Sequence, residues 1–469
     1  MHTTKQQLVT LALTLFAALV ILLFFQGAGF KVAATLAVLA AVILLWVLEP
    51  IPMPLTCLLV PVLLVTLGVA SPENAFAGFG SASTFLILGG LILARGVELT
   101  KLGKRLTYYL VAKSGGSVPG ILAALLLALL VTAVFMPGTA VRAVLILPIA
   151  LGVVNSVRQS GIPADNVEKA LFLGISHGSN ITGMGFLPAA LVNVIAVQLI
   201  SDYLGSSIGY FTWLLAALPP AIALLPLIWF VLLKTFPPEI NRLPQGTEPI
   251  KQALRELGPL DKREKRTLLI LCLIVFLWMT ESFHGLHPAL PALLGVVLLG
   301  IPALGIATWE ELVQINWGTV IQVGTVLSLG GIINSSGAAA FLAEQLLKLD
   351  FLGAVLAAPF GAPFAVALLT QILHLGIGNV ATVTITLVPI IFQLAAHYGA
   401  SPLVLGLVAA NASLYGFLLA VETMPGVIAQ GSSRLKPHDW LVSGLILTLL
   451  ASLISAAAAT WWWPLIGIH

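Results

Sequence analysis

Charge is scarce in this sequence. Only 8% of its 469 residues are Asp, Glu, Lys or Arg, and 59% are hydrophobic. A soluble domain carries roughly 25% charged residues, so that class is excluded. Cysteine is nearly missing as well. Cys57 and Cys272 are the only two, both inside apolar runs, which leaves no disulfide framework and no thiolate metal site. No HExxH or Walker A pattern occurs anywhere in the chain, so the common zinc-hydrolase and nucleotide signatures are excluded. An intramembrane enzyme would have to rest on Glu422, His177 and His374 alone. No cofactor and no metal site is expected. The net charge of +3 gives no argument for nucleic acid, because the basic residues sit in loops.

Apolar runs are what the chain has in abundance. Stretches of about 20 residues, enough to cross a bilayer, recur from end to end. Spans are predicted at 7–26, 31–48, 52–70, 83–98, 169–200, 208–234, 267–283, 288–305, 316–334, 402–430 and 439–460. Two further runs are interrupted. One has arms at 119–136 and 141–157 around Pro137-Gly138-Thr139-Ala140. The other has arms at 353–377 and 380–398 around Gly378-Asn379-Val380-Ala381. Residues 235–265 form the one long polar stretch, expected to be a loop with an amphipathic or surface helix. No cleavable leader is evident at the N-terminus, where the first apolar run leads straight into a second span.

The two interrupted runs stand in register. An offset of 241 residues carries Pro137 to Gly378, Pro148 to Pro389, Gly89-Gly90 to Gly330-Gly331 and Gly96 to Gly337. Helices that break inside a membrane, at matching places in two halves, mark the binding site of a secondary transporter. Most of the 21 Lys and Arg residues fall on one side if the N-terminus is cytoplasmic and both interrupted runs turn back without crossing. The expectation is therefore an all-α polytopic membrane protein. It has about 11 transmembrane helices plus two re-entrant hairpins in inverted repeats, the plan of a secondary transporter, with its C-terminus outside. A first helix at 1–30 precedes a repeat at 31–234, with a cytoplasmic-side hairpin at 119–157. A cytoplasmic loop at 235–265 leads to the second repeat at 266–469, with an outside hairpin at 353–398.

Candidate ligands cluster at the breaks. Helix N-termini favour anions and freed carbonyls favour cations. For an anionic substrate the candidates are Thr139, Arg142, Asn180, Asn379, Thr382, Glu422 and Thr423. For a coupling cation they are Gly138, Ser179, Gly183, Gly378 and Asn379, where small residues and freed backbone allow close approach. Capping of the broken helix ends is the competing role for the Thr and Asn side chains. Two further breaks follow the hairpins, at ISHGSNITGMGFLPAALVN and at NASLYGFLLAVETMPGVIAQG. Arg142 either forks onto a carboxylate or sulfo group of the substrate or pairs with Glu422. Glu422 is alternatively the carrier of a coupling proton. His177 and His374 are expected to be core histidines. Arg95 and Glu98, one turn apart, are expected to form a local pair.

These segments resemble the divalent anion:sodium symporter (DASS) family of the ion transporter superfamily. FAGFGSASTFLILGGLILARGVELTKLGKRL is similar to that family's span before the first hairpin. HGLHPALPALLGVVLLG through WEELVQINWGTVIQVGTVLSLGGIINSSG is similar to its second-half counterpart. NASLYGFLLAVETMPGVIAQGSSRLKPHDW is similar to its signature region before the last span. The resemblance implies a homodimer whose transport domain moves as an elevator against a scaffold. It implies two sodium ions and a dicarboxylate, tricarboxylate or sulfate held at the tips and broken spans. Family members carry a Ser-Asn-Thr triplet at each tip. Here Pro137-Gly138-Thr139 and Gly378-Asn379-Val380 stand instead, so only Thr139 and Asn379 match. The Gly-Thr-Pro-Pro-Asn element of the broken spans is also altered, to Ala189-Ala190-Leu191-Val192-Asn193 and Glu422-Thr423-Met424-Pro425-Gly426. The expected function is secondary transport of a small anion (dicarboxylate, sulfate or a similar organic acid) coupled to sodium or protons. The alternatives are a transporter-derived anion receptor that does not cycle, or an exchanger with no cation coupling. The expected setting is a bacterial inner membrane, with lipid and a second copy of the chain as partners.

Overall fold

The chain was analysed as a computed structural model that describes residues 4–205, 208–348, 355–356 and 358–469. It is all-helical: the described residues contain no strand, only one isolated bridge between Ser117 and Arg242. Among the described residues, eight helices are long and apolar enough to cross a membrane, including Thr139–Gln159, Tyr210–Thr235 and Val380–His397, and shorter apolar helices stand between them. This is a polytopic integral membrane protein. Its first helix, Thr4–Phe24, lies at the edge: 6% of the span is buried, against 61% for Phe30–Leu48 beside it.

Local sequence signals set most helix ends. Ser117 accepts a hydrogen bond from Gly120 N and is followed by Pro119, which opens Val118–Ala133. Proline suits the first turn because its missing N–H would have no helical partner there. Ser401 with Pro402 does the same for Pro402–Ala412. Asp261 and Glu264 form a reciprocal capping box ahead of Lys262–Met279. The polar stretch contains the expected surface helix, Glu248–Glu256, none of whose residues is buried. The sequence reading places no helix at Leu102–Ala112 or Ala338–Leu347, where the structure has one. The charges of Lys104 and Arg105 read as loop, yet they belong to an amphipathic helix packed on Val118–Ala133 and on Glu248–Glu256, with Lys104 exposed and Arg105 paired to the buried Glu264 at 3.1 Å.

Both interrupted runs are helix pairs. The first is Val118–Ala133 followed by Thr139–Gln159, and the second is Gly361–Gly376 followed by Val380–His397. The predicted start of the second pair, at 353, lies outside the described residues. Each first arm has 16 residues. At 1.5 Å per residue that is about 24 Å, short of the roughly 30 Å hydrocarbon thickness. Both ends of the first pair rest against the polar segment: Val118 N donates to Asn241 O and Leu243 N to Gly116 O. Ser156 shares a cleft of about 200 Å³ with Leu243 and Ile250.

The two predicted spans at 169–200 and 402–430 are each broken. Asp165–Gly185 gives way to a short turn at Leu187–Ala189 and then to Leu191–Leu204. Pro402–Ala412 is followed by a turn at Ala420–Glu422 and by Met424–Gly431. The first parts pack on their own hairpins, Asp165–Gly185 on both arms of the first and Pro402–Ala412 on both arms of the second. The second parts change partners. Leu191–Leu204 packs on Val380–His397, and Met424–Gly431 packs on Thr139–Gln159. Among the remaining spans, Tyr210–Thr235 packs on Asp165–Gly185 and Pro437–Ala457 on Gly361–Gly376, while Ala82–Glu98 packs on Ala289–Gly300 and Met53–Thr66 packs on Trp317–Ser335. Small residues allow these approaches. A methyl group at Gly78 would lie 2.2 Å from Gly324 O and 2.5 Å from Ser328 N.

Candidate functional site

The first tip is built from residues that leave the helical path. Pro137 has no N–H to offer, and Gly138 takes φ of 89°, which a side chain would resist. Gly138 N donates to Ala189 O at 3.1 Å, so the tip is fastened to the break of the following span. Thr139 opens the second arm, and its methyl faces Gly183: a Cβ added there would lie 2.7 Å from Thr139 Cγ2 and 2.8 Å from Arg142 Nη2. Asn193 holds the break open from the other side. Its Nδ2 donates to Gly183 O and Phe186 O, both at 2.8 Å.

Arg142 lies one turn after the tip and is fully buried. Its Nη1 donates to Met136 O at 2.7 Å and to Ala189 O at 3.0 Å, and its Nη2 donates to Ser179 O at 2.9 Å. The pairing of Arg142 with Glu422 is not found. Glu422 Oε2 accepts from Leu418 N at 3.0 Å, and none of the ion pairs among the described residues includes either side chain. The physical reason is that a broken helix exposes main-chain carbonyls at short range, and these hold both terminal nitrogens of the guanidinium, while Nε has no partner among the described residues.

The second tip repeats the placement with other chemistry. Gly378 lies against the second break, where an added Cβ would stand 3.0 Å from Val421 O. Asn379 Oδ1 accepts from Thr382 N at 3.1 Å, the capping role that competes with ligand binding. Thr382 Oγ1, Ser179 Oγ, Asn180 Oδ1 and Glu422 Oε1 are buried without a hydrogen-bond partner among the described residues. The second tip is also open: Gly376, Gly378, Val421 and Met424 are exposed.

One contact joins the two halves at the breaks. Asn180 Nδ2 donates to Thr423 Oγ1 at 3.0 Å, while Thr423 caps Met424–Gly431 through Gly426 N. The substrate candidates therefore fall into three groups. Thr139 and Arg142 stand at the first tip, Asn379 and Thr382 at the second, and Asn180 and Thr423 meet between the breaks, with Glu422 beside them in sequence. Among the cation candidates, Gly138, Ser179 and Gly183 surround Arg142, and Gly378 and Asn379 form the second tip. A double-mutant cycle of Asn180→Ala and Thr423→Val, read by thermal unfolding, should return a coupling of about 1 kcal/mol, the net worth of one hydrogen bond. Strict additivity would remove this bond as a link between the halves.

Two histidines differ from each other. His374 Nε2 contacts Ser413 O at 2.8 Å, as expected of a satisfied core group. His177 has no polar partner among the described residues and lies edge-on to Phe417 and Trp440. Arg95 and Glu98 form the expected local pair at 3.3 Å. Sequence reasoning missed Gln371, whose Nε2 donates to Ala412 O at 2.6 Å. Gln371 and His374 stand three residues apart on an otherwise apolar arm, and that spacing on one helix face was the available signal.

Comparison with known proteins agrees with this architecture. Residues 5–469 match the family described as the sodium:sulfate symporter transmembrane region. The chain is 29% identical over 433 residues to the sodium-dependent dicarboxylate transporter SdcS of Staphylococcus saprophyticus, covering 87% of this chain and 81% of that protein. It is 29% identical over 475 residues to the protein of the same name from Staphylococcus aureus, covering 96% of this chain and 89% of that one. With the match running over nearly the whole length, and with two helix pairs and two broken spans in the expected order, the chain belongs to the sodium:sulfate symporter transmembrane family.

Proposed function

We propose that this protein is a secondary active transporter of a small anion, a dicarboxylate, sulfate or similar organic acid, working by an elevator motion. The carrying observation is the seating of each tip on a broken span: Gly138 N on Ala189 O, and Gly378 beside Val421 O. Buried polar groups without partners, among them Thr382 Oγ1 and Asn180 Oδ1, stand at these places as donors and acceptors for a substrate. The names of the similar staphylococcal transporters support sodium as the coupling ion and a dicarboxylate as the substrate class. In this reading the hairpins and broken spans move together, because they pack on one another, against the helix pairs Ala82–Glu98 with Ala289–Gly300 and Met53–Thr66 with Trp317–Ser335. Both hairpins re-enter, the two halves are inverted repeats, and the chain works as a homodimer in a bacterial plasma membrane. The polar segment and the N-terminus are cytoplasmic and the C-terminus outside.

The test is uptake of labelled succinate, citrate and sulfate into proteoliposomes under separate sodium and proton gradients. Accumulation of at least one of these above the leak of empty vesicles is the expected result. Saturable binding with neither uptake nor exchange would instead make the protein a receptor.

A further inference from the structure

The fully buried guanidinium of Arg142 is held by main-chain carbonyls alone. Met136 O, Ala189 O and Ser179 O lie at 2.7, 3.0 and 2.9 Å from its nitrogens. These oxygens come from three separate places: the end of the first hairpin arm, the short turn of the break, and the helix before the break. Arginine keeps its charge at neutral pH, and no carboxylate of the described residues lies within ion-pair distance of it. Carbonyls gathered from an unwound span and from helix ends are the usual cradle for a monovalent cation in transporters of this plan. Here the cradle is already filled by a positive group that is part of the chain. Packing is tight on its Gly183 side, where an added Cβ would stand 2.8 Å from Arg142 Nη2. The carbonyls that would take sodium are bonded to the guanidinium instead.

The second half has no such group. The residue 241 positions after Arg142 is Val383, buried and apolar. Of the polar side chains on the arm before the second tip, Thr370 bonds to Val366 O within its own helix, and Gln371 and His374 bond to Ala412 O and Ser413 O, which leaves Val421 O at the open tip beside Gly378.

We infer that the Arg142 guanidinium is a tethered replacement for the first half's coupling cation, so that this half takes no ion from solution and any coupling cation binds in the second half. The inference rests on reading the break as a cation position within a transporter, and it makes Arg142 a specificity-determining residue. One positive charge then travels with the protein in both directions, and fewer cations accompany each anion.

The experiment reads cation binding rather than transport, so it can fail separately from the transporter reading. Purified wild type and Arg142→Ala are melted in detergent, in sodium chloride and in choline chloride. Removing the side chain should open the carbonyl cradle and create a sodium response. The variant should gain about 3 °C more from saturating sodium than wild type does. Guanidinium at low, non-denaturing concentration should also raise the variant's Tm and leave wild type unchanged. Equal sodium responses in the two proteins, with no rescue by guanidinium, would overturn the inference. If Arg142→Ala does not fold, Arg142→Lys serves, because it keeps the charge. A lysine variant with wild-type sodium response supports the tethered charge, and one that gains a sodium response refutes it.

Discussion

Asn193→Leu should destabilise the protein by about 4 kcal/mol, since each stranded buried acceptor costs roughly 1–3 kcal/mol. One side-chain nitrogen serves two carbonyls there, Gly183 O and Phe186 O. Asn193 is fully buried, so water does not take over the bonds. Leucine matches the side chain in size but donates nothing. The break between Asp165–Gly185 and Leu191–Leu204 would lose the group that fixes its width, and Ala189 O would move away from Gly138 N and Arg142. The expected outcome is a large fall in Tm together with loss of uptake. Asn193→Gln, which keeps the amide one methylene further out, should recover part of the stability. A leucine variant that melts like wild type would mean that the break is held by packing and not by this amide.

Gly78→Ala should cost about 3 kcal/mol, at the upper end of ordinary overpacking penalties. The added methyl would run into the backbone of one helical turn, Gly324 O at 2.2 Å and Ser328 N at 2.5 Å, and backbone cannot rotate away as a side chain can. The same residue is bonded four times over: Gly78 N donates to Ser328 Oγ, and Gly78 O accepts from Ser81 Oγ, Ser81 N and Thr84 Oγ1. The substitution sits where Gly78 packs on Trp317–Ser335, and Gly78 is none of the tip or break residues. It should therefore lower Tm while leaving the apparent affinity of the surviving protein for its anion within about twofold, as distant sites act independently. A changed affinity with an unchanged Tm would contradict that placement.

Much of the architecture was legible because its signals are local. Pro137-Gly138 and Gly378-Asn379 stop helices by their own backbone chemistry, so the tips could be found without knowing their partners. Pro188, and Pro425 with Gly426, did the same for the broken spans. Arg142 was different. A sequence lists side chains, and the nearest opposite charge in meaning was Glu422. The actual partners are carbonyls, which every residue has and no sequence pattern marks. They become available only where a helix stops, and only at places brought together by the fold. Asn379 shows the same limit, since its cap on Thr382 and a ligand role call for the same side chain. The helix at Leu102–Ala112 was hidden for another reason: its charged residues lie on one face, and in a chain this apolar they read as a gap between spans.

The exchange of partners by the broken spans has a consequence for how the protein is made. Leu191–Leu204 leaves the ribosome well before Val380–His397, the arm it packs on, and Thr139–Gln159 waits longer still for Met424–Gly431. At roughly 5–20 residues per second, a delay of about 200 residues lasts on the order of 10–40 s. During that interval the first hairpin stands in the membrane with one side uncovered. The nascent first half is therefore not a finished unit that a second half later joins. A ribosome stalled near the polar segment would leave a membrane-inserted intermediate, and such a fragment should be a substrate for membrane quality-control proteases until the last quarter of the chain arrives.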